Sequence, residues 1–434
     1  MFYKKFNINK NNIVTLTGAG GKTSLLFKLA EELKTLGKVL ITTTTQIKIP
    51  NIKQYQRYIV GDKIFHGKNN NIDIIGSEIK NDKLIGIDYE KIFHLKKKYH
   101  YILIEGDGAK GKFLKFWNDN EPCIHPESNK VIGLLNTNML NVEISKDNIH
   151  RFNLYKNQLD NFNAKEKINK DNFDSFFNFY FKNNKFFKSY DGEKYIFCNG
   201  IDNFYNDDTI SRFNLALNLK NIIDNNFDNI DYLIGSAKDN FIVRPQCDIV
   251  ILASGFSKRY GIDNKLQLKI NEVSLLEILL KKLDIPTFNK ILVGKDGFSQ
   301  NLAKKYNCTY VCNKNAHLGQ SQSIKLGVEK ITSPVFGIFP GDQPLLTKEI
   351  ILTLYLESLK SNMITIPVAN NKRFSPIFFP QNLKDKFQLL EGDVGGKEII
   401  KKEKNINLVN FNDEKYFMDI DTKEDYERVL KLYE

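Results

Sequence analysis

Two α/β domains in one chain are predicted by three features of this sequence. A β-branched run meets a glycine-rich turn near residue 18, a second apolar run meets a small-residue, cationic turn past residue 249, and the chain is 434 residues long. That length exceeds what one hydrophobic core usually serves, and a hydrophobic content of 41% can bury two. The expected domains are 1–243 and 247–434, with a short linker near Arg244-Pro245-Gln246.

In the first domain, Ile13-Val14-Thr15-Leu16-Thr17 runs into Gly18-Ala19-Gly20-Gly21-Lys22-Thr23. This reads as a phosphate-binding P-loop: backbone amides cradle the phosphates, Lys22 reaches the outer ones and the Thr23 hydroxyl contacts magnesium. Leu16 stands where the usual pattern has its first glycine, and Gly18, Gly20 and Gly21 are placed to compensate. Leu25, Leu26, Leu29, Leu33 and Leu36 then recur at helical spacing, with Gly37 positioned to end the helix. The turn therefore opens a helix amino terminus, where aligned peptide dipoles favour phosphate. A glycine turn with no ligand is the competing reading.

The next strand, Val39-Leu40-Ile41, ends in Thr42 to Thr45, whose hydroxyls suit magnesium or phosphate oxygens but are equally at home in a strand. Tyr101 to Ile104 ends in Glu105-Gly106-Asp107-Gly108, a Walker B-like position where Glu105 or Asp107 would hold a magnesium-bound water. Asn199-Gly200-Ile201-Asp202 and Gly235-Ser236-Ala237-Lys238 each follow an apolar strand, in the places where P-loop proteins of the GTPase type read the base. Gly200 stands where Lys is usual. Residues 146–194 are rich in Asn, Lys and Phe, and Phe173, Phe176, Phe177, Tyr180 and Phe181 recur at helical spacing, as a core stripe does.

The second domain opens on Ile249 to Leu252, then Ala253-Ser254-Gly255, with Arg259 and Lys265 following. Small residues at a strand end let backbone N–H groups approach an anion, and the two cations supply charge where pyrophosphate would leave. Asp342 follows the apolar run Phe336 to Phe339 and should project from a strand's carboxyl end, where open α/β sheets place ligands. Magnesium takes one or two carboxylates plus substrate phosphates, so Asp342 and an Asp of Met418-Asp419-Ile420-Asp421-Thr422 form a candidate pair, with Asp421 favoured over Asp419. Turn capping alone would also explain each carboxylate.

Residues from about 247 to 434 resemble the MobA-like nucleotidyltransferases, especially the molybdenum cofactor cytidylyltransferase branch. The family's opening motif, Leu-Ala-Ala-Gly-x-Ser-x-Arg-Met-Gly with a following Lys, is present as Leu252 to Gly261 and Lys265, with Ser254 and Tyr260 as departures. Asn313 and the run Gly319-Gln320-Ser321-Gln322-Ser323 resemble the segment that reads base and ribose, and Asp342 matches the magnesium-binding Asp. Gly392 to Lys397 resembles the Gly-Asp-x-Gly loop, with Lys397 where Arg is frequent, an exchange that keeps charge but loses bidentate geometry. The resemblance implies a Rossmann-like nucleotidyltransferase domain of the nucleotide-diphospho-sugar transferase type. It would bind CTP through Leu252, Ala253, Ser254, Gly255, Asn313, Gly319 and Ser321, and act through Arg259, Lys265 and Asp342 with magnesium.

Residues from about 10 to 240 resemble the selenium-dependent hydroxylase accessory proteins known as YqeC, on Leu16 to Ser24, Thr42 to Thr45, Glu105 to Ala109, Lys115, Glu121-Pro122, His150-Arg151, Asn199 and Asp202. Gln46 stands where that family often has His. The resemblance implies a setting, maturation of molybdenum hydroxylases, with a target hydroxylase as partner. The implied ligands are molybdopterin as substrate, CTP in the second domain, and ATP or GTP with magnesium in a P-loop NTPase-like first domain. Two alternatives stay open: a sugar- or polyol-phosphate nucleotidyltransferase, and a chaperone that delivers cofactor by nucleotide hydrolysis.

Lys and Arg exceed Asp and Glu by 12, yet the lysines are dispersed and no nucleic-acid module is recognisable, so no nucleic-acid partner is expected. The basic surface would steer an anionic pterin and a nucleotide. Lys96-Lys97-Lys98 reads as a solvated helix face. The five cysteines form no Cys-x-x-Cys pair; Cys308 and Cys312 flank a strand and are expected to be buried, and Cys123 with His125 lacks the further ligands zinc needs. No segment has membrane-spanning length and Met1 to Lys5 lacks a secretory stretch, so a cytoplasmic protein with no membrane partner is expected.

Overall fold

The computed structural model describes residues 1–140, 142–160, 162, 166–169, 171–202, 207–256, 260–261, 264–392 and 395–433. It forms two units, Met1–Arg244 and Pro245–Glu434.

The first unit is built on ten strands: β1 Asn12–Gly18, β2 Val39–Thr43, β3 Arg57–Val60, β4 Lys63–His66, β5 Ile72–Gly76, β6 Tyr101–Glu105, β7 Lys130–Asn136, β8 Glu193–Asn199, β9 Ile230–Ser236 and β10 Phe241–Val243. Their order is β10-β9-β8-β7-β1-β6-β2-β5-β3-β4. All neighbours are parallel except the two edge pairs, β9 with β10 and β3 with β4. A parallel strand covered on both faces is a continuous apolar run, and β1, β2 and β6 are buried almost end to end. Leu16 pairs with Glu105 on one side and Ile132 on the other, so β1 lies in mid-sheet with its carboxyl end beside those of β6 and β7.

Helix α1, Lys22–Leu33, follows β1 and buries Leu25, Leu26, Leu29 and Leu33. It stops one turn earlier than the leucine spacing suggests. Leu36 lies beyond it, 52% exposed, in a turn where Gly37 N–H meets the Leu33 carbonyl. Helix α2, Phe173–Lys182, buries the whole aromatic stripe, with Phe177 and Tyr180 edge to face at 6.1 Å between ring centres. The rest of 146–194 is less helical than its composition suggests, holding a two-residue strand, a 3-10 turn and the helix Lys156–Asp160. Lys96 to Lys98 lie in the turn after the helix Tyr89–Leu95 rather than on its face.

In the second unit the strands of the main sheet are β11 Cys247–Ala253, β12 Phe288–Gly294, β13 Thr309–Cys312, β14 Val335–Pro340, β15 Ile364–Ala369, β16 Lys372–Arg373, β17 Ile377–Pro380 and β18 Ile406–Asn410. The order is β13-β12-β11-β14-β17-β15-β16, with β18 paired to β15. The β13-β12-β11-β14 block is parallel and β17 runs antiparallel to β14. Because β13 is an edge strand, Cys312 is exposed and Cys308 only half-buried, contrary to the expectation of two buried thiols. Helix α3, Gln320–Glu329, packs Ile324 and Val328 into the core with Val250, Val293 and Phe336. Among the described residues no helix is long and apolar enough to cross a membrane, and no group of three or more His, Cys, Asp or Glu side chains could hold a metal.

Candidate functional site

In the first unit the turn after β1 brings most of its predicted residues together. Gly18, Gly20 and Gly21 all have positive φ, at 95°, 86° and 122°. At Gly18 a Cβ would also lie 2.4 Å from the Leu134 carbonyl oxygen, so only glycine fits. Gly18 N–H donates to Asp107 Oδ2 at 3.0 Å, and Lys22 Nζ bonds the Gly18 carbonyl at 2.5 Å and pairs with Asp107 Oδ1 at 3.0 Å. Ala19 is buried in the same turn.

The two carboxylates left open by the sequence have different surroundings. Asp107 is wholly buried: besides Gly18 and Lys22 it accepts Trp117 Nε1–H at 2.6 Å and pairs with buried Lys115 at 3.1 Å. Burial alone would raise its carboxyl, but Lys22 and Lys115, then the two N–H donors, hold it below the usual range. Asp107 thus braces the turn from behind. Glu105 instead accepts the Thr23 hydroxyl at 3.0 Å, and burial pushes its carboxyl up against the pull of Lys22 and Thr23. A threonine hydroxyl beside a carboxylate is an oxygen donor set that fits magnesium, so Thr23 and Glu105 are the residues that would hold it. The hydroxyls of Thr42, Thr43 and Thr44 are engaged with the carbonyls of Ile75, Glu105 and Cys123.

Asn199 reaches the turn from β8, its Nδ2 donating to the Gly20 carbonyl at 3.2 Å, and Asp202 accepts the Ser236 hydroxyl at 2.7 Å. Two contributors escaped sequence reasoning. Trp117 lies ten residues past Asp107, and Asn136 Nδ2 donates to the Gly20 carbonyl at 2.9 Å from the end of β7. For Asn136 a signal existed: it is a polar residue ending an apolar strand, as Asn199 is.

In the second unit a cleft of about 560 Å³ opens at the carboxyl ends of β11 and β14, lined by Leu252, Ser254, Gly255, Lys265, Gly319, Asp342 and Asp421 among others. Lys265 Nζ lies 2.6 Å from Asp342 Oδ2 and 2.7 Å from Asp421 Oδ1. Desolvation would lower the lysine, but the two carboxylates outweigh it and raise it above its ordinary value. Two carboxylates converging on one cation are a donor set that fits magnesium. Asp419 is pushed up to about 7, by desolvation first and then by the like charges of Asp342 and Asp421. Its side chain still reaches solvent, which weakens the desolvation, so the crowding of like charges is the part that stands.

Ala253, Asn313 and Ser321 are buried outside the cleft lining. Asn313 Nδ2 donates to Ser323 Oγ at 2.9 Å, Ser323 and Ser254 share a 2.6 Å hydrogen bond, and Ser321 Oγ donates to the Gly392 carbonyl at 2.6 Å. Asn313 and Ser321 thereby tie the cleft's loops together from behind its lining, while Ser254 and Ser323 also line the cleft. Arg259, Asp393 and Val394 lie outside the described residues.

Both units are open α/β sheets with polar residues gathered at strand carboxyl ends, where such sheets place ligands. Residues 249–406 match the family model of the MobA-like NTP transferase domain, and residues 14–153 match that of the YqeC protein. The chain therefore joins a YqeC domain to a MobA-like NTP transferase domain. The uncharacterized protein YqeC of Escherichia coli K12 is 34% identical over 151 residues, which cover 33% of this chain and 59% of that protein. The chain thus spans less than two thirds of that relative. A probable molybdenum cofactor guanylyltransferase of Natranaerobius thermophilus is 28% identical over 195 residues, covering 42% of this chain and 94% of that protein. A solved nucleotidyl transferase from Methanothermobacter is 17% identical, with a TM-score of 0.38 over 43% of this chain and 97% of that one.

Proposed function

We propose that the second unit transfers a nucleotidyl group, CMP from CTP, to a molybdopterin-type cofactor and releases pyrophosphate. The observation that carries this is Lys265 held between Asp342 and Asp421 at the mouth of the cleft. A terminal phosphate oxygen of the acceptor attacks the α-phosphorus, the bond from that phosphorus to the β-phosphate bridging oxygen breaks, and pyrophosphate departs with the bond's electrons. Such chemistry depends on positioning and charge stabilisation more than on a protein nucleophile. Lys265 and Arg259 neutralise the departing pyrophosphate, and the backbone of Leu252 to Gly255 holds the triphosphate. Magnesium, held by Asp342 and Asp421, would supply further charge neutralisation. The cytidylyl preference is supported by the sequence resemblance; the name of the Natranaerobius relative favours guanylyl transfer instead.

For the first unit the proposal is a P-loop that binds a nucleoside triphosphate with magnesium, through Gly18 to Thr23 and Glu105, during maturation of a molybdenum hydroxylase. The test for the chain is incubation with magnesium, each triphosphate in turn and molybdenum-loaded molybdopterin, measuring pyrophosphate and dinucleotide product. CTP-selective product supports the cytidylyl reading and GTP-selective product replaces it with a guanylyl one. No product, alongside tight cofactor binding, favours a cofactor-delivery chaperone, which a nucleotide-dependent pull-down of a hydroxylase lost in Lys22→Ala would then support.

A further inference from the structure

We infer that the first unit selects guanine nucleotides over adenine nucleotides, and that Asp202 makes the selection. The inference rests on the proposal that this unit binds a nucleoside triphosphate at the turn after β1. Asn199 links that turn to the ends of β8 and β9: its Nδ2 donates to the Gly20 carbonyl at 3.2 Å while its Oδ1 accepts Ala237 N–H at 2.9 Å. The phosphate loop and the segment after β9 are thereby held in one fixed relation.

Beside this link, Ser236 is wholly buried. Its hydroxyl donates to Asp202 Oδ1 at 2.7 Å and accepts Asp239 N–H at 3.0 Å, so the serine aims the carboxylate through one oxygen only. Among the described residues Asp202 has no ion pair and its Oδ2 has no hydrogen-bond partner. The carboxylate is half-buried and reaches solvent. Gly200, between Asn199 and Asp202, has φ of 104°, and a Cβ there would lie 2.7 Å from both Asn136 Oδ1 and Thr137 Oγ1. Position 200 therefore takes only glycine, which lets the end of β8 pack closely against Asn136 and Thr137.

An ionised carboxylate is an acceptor only, so a planar ligand complements it with two neighbouring N–H donors. Guanine offers that pair, N1–H and the N2 amino group. Adenine turns an N1 lone pair toward the same place, cytosine turns its N3 lone pair, and uracil flanks its one N–H with carbonyl oxygens. A buried or half-buried polar group left facing a lone pair costs binding far more than a missing methylene does.

The test uses the full chain and energy transfer from Trp117, the sole tryptophan, to mant-GTP and mant-ATP. The first-unit signal is the part abolished in Lys22→Ala. Unlabelled GTP is expected to displace it at least about 100-fold better than ATP, with CTP and UTP weaker still. Asn offers one acceptor and one donor, which match N1–H and the C2 carbonyl of xanthine. Asp202→Asn is therefore expected to lose about 100-fold toward GTP and gain a comparable factor toward XTP. Equal displacement by ATP and GTP, or unchanged GTP affinity in Asp202→Asn, overturns the inference while leaving nucleotide binding intact. A signal insensitive to Lys22→Ala with both labelled nucleotides overturns the underlying binding proposal as well.

Discussion

Replacing Asp107 by Asn keeps the shape of the side chain and removes its charge. In the native structure this fully buried carboxylate receives Gly18 N–H at 3.0 Å and Trp117 Nε1–H at 2.6 Å, and pairs with Lys22 at 3.0 Å and Lys115 at 3.1 Å. Four donors converge on two oxygens, so an amide must turn its own NH2 toward donors wherever it is placed. Lys115, wholly buried, keeps Glu121 at 3.1 Å and the Gly108 carbonyl at 2.8 Å, which offset part of its stranded charge. Breaking a buried pair from one side costs about 3–5 kcal/mol. With a urea slope of about 3 kcal/mol/M for a unit of this size, the midpoint should fall by about 1–1.7 M. The assay is urea unfolding followed by Trp117 emission, which reports on this unit alone because the chain has no other tryptophan. A midpoint within about 0.3 M of wild type, with native emission retained, would refute the claim that Asp107 braces the turn; that margin is about 1 kcal/mol at the same slope.

In the second unit, Lys265→Ala and Asp342→Ala should each lower turnover by about 100- to 1000-fold with the domain still folded, and near wild-type pyrophosphate release would sink the assignment. Gly18→Ala should cost at least about 1–3 kcal/mol from its positive φ alone, and more from the Leu134 carbonyl, with nucleotide binding lost; thermal unfolding and mant-nucleotide titration read the two effects. His150 gives a pH signature. Burial first, then Lys115 and Arg151, hold its imidazole down to about 4 against an ordinary 6.5. Between those values the unfolded chain binds a proton that the folded chain does not, so stability is full above pH 6.5 and declines as pH falls toward 4. With partial exposure the loss should be on the order of 1 kcal/mol, and His150→Gln should flatten it in urea midpoints measured at pH 7 and 5.

The strands were legible because parallel strands covered on both faces leave a nearly continuous apolar or β-branched run, as in Ile13–Leu16, Tyr101–Ile104 and Ile249–Leu252. The aromatic stripe of α2 was legible for the analogous helical reason. Periodicity failed where a run outlasts its packing surface: Leu36 continues the leucine spacing but has nothing to cover it. Cys312 shows the matching limit for strands, since neighbouring residue types do not tell an edge strand from a central one. At the sites, composition and strand position picked out Lys265, Asp342 and Asp421, which the fold brings to one point. What could not be read was which polar residues turn inward. Asn313 and Ser321 look like ligand contacts in sequence, yet each bonds a loop beside it, and Trp117 gains its role only through a contact with Asp107.

The ammonium between Asp342 and Asp421 has a consequence for how the second unit lives without metal. Carboxylates gathered at one point repel one another, and in sites that are not preformed the binding of an ion is coupled to folding. Here the chain carries a tethered counterion of its own, on a side chain long enough to retreat. The charge of the two carboxylates is therefore partly neutralised within the chain, and under the proposed function a dication would enter by exchange with a charge already present. The unit's grip on metal should accordingly be loose until a triphosphate gives Lys265 somewhere else to go, so that ion and nucleotide arrive as partners rather than in sequence.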